Sequence, residues 1–128
     1  MTTDPISDFL IRLKNGSAVK RERVIVPFSA MKLHLAELLS REGYVGRVSR
    51  LPSGSLEVEL RYGAGKRPAI AGAKRVSKPS RRLYVGARDI RPVKRGHGLA
   101  VLSTPHGILT GAEARKKNTG GEVLFEIW

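Results

Sequence analysis

Residues 66–95 carry eleven Lys or Arg side chains (Lys66, Arg67, Lys74, Arg75, Lys78, Arg81, Arg82, Arg88, Arg91, Lys94 and Arg95) against a single acid, Asp89. A stretch so charged stays in water, because an unpaired buried charge loses its hydration. Its charged side chains are therefore expected to lie at the surface. Solubility is ordinarily met by charges of mixed sign. A one-signed surface of this length is expected to bind a polyanion.

The charge is unevenly spread. Residues 1–62 hold ten basic and seven acidic side chains, a net of +3, whereas residues 63–128 hold fourteen and four, a net of +10. Segment 66–95 alone accounts for that second figure. Each phosphate neutralised by such a surface releases condensed counterions, so nucleic acid is the leading partner and an anionic membrane surface the weaker one. No apolar run approaches the roughly 20 residues that span a bilayer. The start of the chain is polar, with Asp4 and Asp8, so no secretory leader is expected. Cysteine is absent, which excludes disulfides and thiolate zinc sites and fits a reducing, cytoplasmic setting.

With 128 residues, 41% of them hydrophobic, the chain can build one domain or two small lobes. Asp4-Pro5 predicts a helix start, Ile6, Phe9, Leu10 and Leu13 follow at helical spacing, and Asn15-Gly16 is expected to end the helix. Val24-Ile25-Val26 reads as a short buried strand closed by Pro27. Ser29 predicts the cap of a second helix from Ala30 to about Glu42, with Met31, Leu35, Leu38 and Leu39 as its apolar stripe and Gly43 as its stop. Residues 44–51 and 56–62 predict a hairpin around Pro52-Ser53-Gly54, the second strand burying Leu56, Val58 and Leu60. The glycine-rich stretch 63–68 reads as a loop and a lobe boundary.

The second lobe reads as mainly β. Arg75-Val76-Ser77 leads to a turn at Lys78-Pro79-Ser80, with 82–85 as a return strand. Residues 99–102 predict a strand stopped by Ser103-Thr104-Pro105-His106-Gly107. Thr110 and Glu113 fit a capping box, predicting a short helix from Gly111 to about Lys117. Gly120-Gly121 turns the chain into a last strand, 122–128, in which Val123, Phe125 and Ile127 alternate. The expected fold is thus α+β: an α/β lobe over 1–63 and a mainly β lobe with one short helix over 64–128.

Catalytic chemistry finds little support. His34, His97 and His106 are scattered without a carboxylate or second His at ligand spacing, so no metal is expected. Gly63-x-Gly65 and Gly96-x-Gly98 lack the third glycine and the strand-to-helix setting of a dinucleotide fingerprint, and there is no phosphate-loop motif. No cofactor is expected. Ser103 and His106 could be imagined as nucleophile and base, but no orienting group accompanies them.

The same turns suit recognition. Ser103 and Thr104 hydroxyls can bond to sugars, phosphates and base edges. Gly107, Gly120 and Gly121 would let backbone approach a nucleic acid without Cβ clashes. Tyr84, beside Arg81 and Arg82, offers a ring for stacking, or else a core side chain. Glu122 can accept from a base amino group or sugar hydroxyl or orient an arginine, or it can pair with Arg115 or Lys116.

These residues carry a family resemblance. The run from Arg75-Val76-Ser77-Lys78-Pro79-Ser80 to Arg82-Leu83-Tyr84 resembles the R-[VI]-S-K-P-[GS]-x-R-x-Y segment of the small-subunit ribosomal protein S8 family. Gly98-Leu99-Ala100-Val101-Leu102-Ser103-Thr104 with Gly107 is similar to its G-[IL]-A-[IVL]-L-S-T-S-x-G signature. Asp4-Pro5-Ile6-Ser7-Asp8, Gly120-Gly121-Glu122 and a terminal aromatic residue follow the family's order, so the likeness runs through the whole chain. The resemblance implies a non-catalytic structural protein that binds the central domain of small-subunit (16S) ribosomal RNA at an irregular stem and helps its assembly. It implies an RNA site of Ser103, Thr104, Gly107, Gly120, Gly121 and Glu122, with Lys78, Arg82 and Tyr84 on a second segment. Lys32 matches a basic position of the first lobe that touches separate RNA.

Neighbouring ribosomal proteins are implied partners, and a monomer is expected outside the ribosome. In some bacteria the family member also binds its own operon's messenger and represses translation. Pro105 departs from the family's second loop serine, which removes one hydroxyl and one backbone donor and stiffens the loop. Two rivals are a DNA-binding architectural protein, which needs a groove-reading helix, and an enzyme acting on a phosphorylated substrate, which needs a catalytic constellation.

Overall fold

The computed structural model describes residues 4–128, so the polar start at residues 1–3 lies outside them. The chain clusters into two compact units, Pro5–Ala71 and Asp4 together with Gly72–Trp128.

The first unit opens with α1 (Pro5–Ala18), followed by β1 (Arg23–Val26), α2 (Ala30–Arg41), β2 (Val45–Arg50) and β3 (Leu56–Leu60). Gly16 does not end α1, which runs on to Ala18. A Cβ there would lie 2.7 Å from Val24 Cγ1 and 3.0 Å from Leu60 Cδ1, so this glycine lets the helix sit close on the sheet. The stop comes at Lys20, in the left-handed region at φ 60°. There the amide of Arg21 bonds the Gly16 carbonyl and that of Lys20 the Ser17 carbonyl, the paired bonds of a Schellman ending.

Ser29 caps α2 by accepting from the Lys32 amide at 3.1 Å, and Gly43 closes the helix at φ 86°. The helix buries Leu35, Ala36, Leu38 and Leu39, but Met31 is exposed and Lys32 takes its place on the inner face. In a sheet of order β1-β3-β2, Leu56, Val58 and Leu60 are buried on the central strand. β1 is an edge strand and not a buried one, with Ile25 51% exposed. Residues 63–68 form a loop with a 3₁₀ turn at Ala64–Lys66.

The second unit holds β4 (Ala73–Arg75), β5 (Tyr84–Val85), β6 (Leu99–Thr104), β7 (Gly107–Thr110), α3 (Gly111–Lys116) and β8 (Gly121–Ile127). The sheet order is β4-β8-β6-β7, and β5 also pairs with β8. Two features differ from the sequence expectation. First, residues 82–85 are not a return strand. β4 pairs Arg75 with Phe125, the amides of Val76 and Ser77 bond the carbonyls of Leu124 and Val123, and β5 then pairs Tyr84 with Glu122. The chain keeps one direction along β8, and residues 78–82 are an excursion from a single interrupted edge strand.

Second, β6 does not stop at Leu102. It continues to Thr104 and turns through Pro105-His106 into β7, a strand the turn-rich composition concealed. The capping box does form: Thr110 Oγ1 accepts from the Glu113 amide at 3.1 Å and Glu113 Oε1 from the Thr110 amide at 3.0 Å. α3 covers one sheet face over a core of Ile90, Val93, Ala100, Leu102, Leu109 and Ala114. A bulge between Val101 and Leu102 shifts the register on β8, so Leu124 and Phe125 are both buried although they are neighbours.

Candidate nucleic-acid interface

The β8 strand organises the site. Glu122 pairs directly with Tyr84 on one side and Ser103 on the other. Residues directly opposite in antiparallel strands share a face, so Tyr84, Glu122 and Ser103 form one row across three strands. The Tyr84 side is open, with the residue 66% exposed, so this ring is not a core side chain. Ser103 is half-buried, and its hydroxyl makes no hydrogen bond among the described residues.

Thr104 differs. Its hydroxyl donates to the Gly107 carbonyl at 2.8 Å and accepts from the His106 amide at 3.0 Å. The proton is spent inside the turn, leaving a lone pair to offer. Gly107, at φ 102° with open space where a Cβ would stand, supplies the left-handed corner. Around Gly120 and Gly121 the neighbour is protein: a Cβ on Gly120 would collide with the Val85 carbonyl, and one on Gly121 with the Ser103 carbonyl. These two glycines let β5, β8 and β6 converge.

The excursion 78–82 leaves the sheet beside this row. The Lys78 amide donates to the Arg81 carbonyl and the Arg81 amide to the Lys78 carbonyl, both at 2.9 Å, which makes a tight turn around Pro79-Ser80. Its base is closed by the fully buried Ser77. Lys78, Arg81 and Arg82 are all exposed. Arg82 Nη1 lies 4.0 Å from Glu122 Oε1. Glu122 is thus paired with Arg82 and shows no ion pair with Arg115 or Lys116 among the described residues.

All the site residues expected from the sequence except Lys32 fall in this second unit. Lys32 lies in the first, only 7% exposed on the inner face of α2. Arg75, counted among the surface cations, is not one of them. Its guanidinium bonds both Asp4 carboxylate oxygens (Nε at 3.0 and 3.3 Å) and the Leu124 carbonyl, so its charge is neutralised within the fold. Ser77 was legible only as part of a strand; a hydroxyl at the foot of a Lys-Pro turn is the signal that marks it. Among the described residues no His, Asp or Glu cluster could hold a metal ion, and no helix is long and apolar enough to cross a membrane.

The second unit is thus of the α+β class, with a hydroxyl, an aromatic ring and a carboxylate at one sheet end beside exposed cations. Comparison with known proteins narrows the class. The family model described as Ribosomal protein S8 matches residues 4–128. The small ribosomal subunit protein uS8 of Oleidesulfovibrio alaskensis is 48% identical over 128 residues, covering all of both chains. Those of Persephonella marina (44% over 136 residues, all of both) and Geobacillus kaustophilus (44% over 129 residues, 98% of each) are similarly close. The chain belongs to the ribosomal protein S8 family.

Proposed function

We propose that the chain is a structural constituent of the small ribosomal subunit, working in the cytoplasm without catalysis. Its lobe 64–128 holds an irregular stem in the central domain of the 16S ribosomal RNA and aids assembly. The observation that carries this reading is the row Tyr84–Glu122–Ser103, set in rigid antiparallel pairing beside the exposed cations of the 78–82 excursion. Ser103 can donate to or accept from a sugar or base edge, Tyr84 can stack on an unpaired base, and Lys78, Arg81 and Arg82 can hold phosphates. Glu122 accepts from a base amino group while orienting Arg82. Lys32 would touch a separate RNA segment through the tip of its long stem. Neighbouring small-subunit proteins are partners, the free protein is a monomer, and an operon messenger with a similar stem is a second target.

Binding of a central-domain stem should weaken steeply with salt, log K falling by roughly 0.7 to 0.9 per phosphate contacted for each tenfold rise in salt. Ser103→Ala with Thr104→Ala should lower specific affinity far more than it lowers that slope. Ser103→Ala alone, which spares the turn, should weaken binding about tenfold, the worth of one well-made hydrogen bond. Normal binding by the double variant would place the site elsewhere. Displacement of the stem by an equal concentration of duplex DNA would favour the architectural DNA-binding reading.

A further inference from the structure

The recognition row occupies one end of the β8 strand. At the other end, about 20 Å away at 3.3 Å per residue, a second basic feature stands apart from it. There the segment 91–98 packs onto the Ile127–Trp128 end. A Cβ on Gly98 would lie 2.6 Å from the Ile127 carbonyl and 2.9 Å from Trp128 Cβ. Within the segment Lys94, Arg95 and Gly96 are consecutively left-handed, at φ 49°, 55° and 91°. The turn is stitched by the Gly96 and Gly98 amides on the Val93 carbonyl and the His97 amide on the Lys94 carbonyl.

That conformation suits Gly96 and opposes its two neighbours, because a Cβ crowds the following carbonyl there. Glycine at 94 and 95 would be the relaxed choice, yet the chain places two long cationic side chains at these positions. Lys94 is accounted for in part: its Nζ sits 4.4 Å from the centroid of the Trp128 ring, which holds the ammonium at the surface. Arg95 and Arg91 are exposed and make no ion pair, hydrogen bond or ring contact among the described residues. The exposed Lys74 lies on the same part of the sheet, pairing in register with Glu126, and Asp89 is the one acid within 66–95. At Lys94 the strained backbone brings the contact with Trp128, whereas at Arg95 it brings none among the described residues, and what it positions there is positive charge.

We propose that the Arg91–Lys94–Arg95 turn is a second, sequence-independent phosphate site, engaging the backbone of an RNA segment other than the recognised stem. It rests on the RNA-binding reading above and extends it: the two ends of one sheet hold two parts of the RNA at a fixed spacing, so that this unit acts as a brace between them.

The test uses the full chain with two RNAs, the isolated stem and a longer central-domain fragment containing it. Three variants are compared: Lys94→Ala with Arg95→Ala, Lys94→Gly with Arg95→Gly, and Ser103→Ala. The glycine pair suits the left-handed backbone, which offsets the loss of the Lys94–Trp128 contact, so its melting temperature should stay near that of the parent. Both turn variants should bind the stem as the parent does. They should bind the longer fragment about tenfold or more weakly, with a salt slope shallower by roughly 0.7 to 0.9 for each phosphate no longer held. Equal losses on both RNAs, or no loss on either, overturn the proposal. So does capture of polyglutamate by the turn in preference to the longer RNA. Should Ser103→Ala bind normally while the turn variants fail on the longer fragment, the recognition reading falls and this one stands. The reverse pattern sinks this one alone.

Discussion

Ser77 and Leu83 are tied by two hydrogen bonds through one hydroxyl: Ser77 Oγ accepts from the Leu83 amide at 2.8 Å and donates to its carbonyl at 3.3 Å. The five intervening residues leave the sheet edge and return to it, and this pair closes the gap. Without it, the Leu83 amide would need water or a looser arrangement, while its carbonyl would keep the bond it accepts from the Val123 amide at 2.9 Å.

Ser77→Ala should therefore cost about 1 to 3 kcal/mol in urea unfolding. It should also release the 78–82 excursion before the rest of the sheet. Hydrogen exchange is the discriminating measurement. The Leu83 amide should lose protection in the variant while the Val101 amide in the core keeps its own; equal loss at both would mean the hydroxyl does no local work.

The two Gly-Gly positions and Gly107 predict different outcomes on substitution. Gly121→Ala drives a methyl group into the Ser103 carbonyl, and a backbone atom cannot step aside as a side chain can. Overpacking of this kind costs typically about 1 to 3 kcal/mol and displaces the strand. Gly107→Ala meets open space and suffers only from its φ of 102°, with the cost confined to the hairpin. Circular dichroism melts should rank Gly121→Ala below Gly107→Ala, and chemical-shift changes in Gly121→Ala should reach both β5 and β6.

Much of the fold was legible because its signals are local. Ser29 before an apolar helical stripe, Thr110 with Glu113, and Leu56-Val58-Leu60 against charged neighbours each state their structure within a few residues. What was hidden depends on partners far along the chain. Arg75 looks like any surface cation until β4 pairs it opposite the buried Phe125 and Asp4 arrives to neutralise it. Gly16 reads as a helix stop, and only the packing of Val24 and Leu60 shows it to be a contact. The β7 strand was masked because Thr104 and Gly107 read as loop residues, whereas their pairing is the hairpin. Site residues were found by type, but their division of labour was not. Nothing local distinguishes Ser103, whose hydroxyl has no partner among the described residues, from Thr104, whose proton is spent in the turn.

That division makes a third prediction. Thr104→Val keeps the β-branched shape and removes both bonds to the turn, so it should destabilise the protein by about 1 kcal/mol. Ser103→Ala removes a hydroxyl with no partner among the described residues and should leave stability within about 0.5 kcal/mol. Denaturation curves of the two variants measure this directly. If Ser103→Ala proved the more destabilising, the hydroxyl would belong to the fold and its assignment to RNA would fail.

Glu122 supplies a prediction whose sign separates two explanations. If the interface attracts RNA by charge alone, an acid in its middle is a defect, and Glu122→Lys should tighten binding by adding a cation to an already basic surface. If the carboxylate accepts a base or sugar hydrogen bond and steers Arg82, the same substitution should weaken specific binding while raising non-specific affinity. Arg82 is largely exposed and 4.0 Å away, so loss of that ion pair itself costs little stability, on the order of 0.5 kcal/mol or less. The Glu122 side chain is itself only 15% exposed, so the melting temperature of the variant is measured beside its binding, and the comparison is made on folded protein. The expected result is a loss of about tenfold or more for the stem, with a steeper salt dependence and a higher affinity for unrelated RNA. Tighter binding of the stem by Glu122→Lys would reduce the row Tyr84–Glu122–Ser103 to an electrostatic surface and remove its claim to recognise shape.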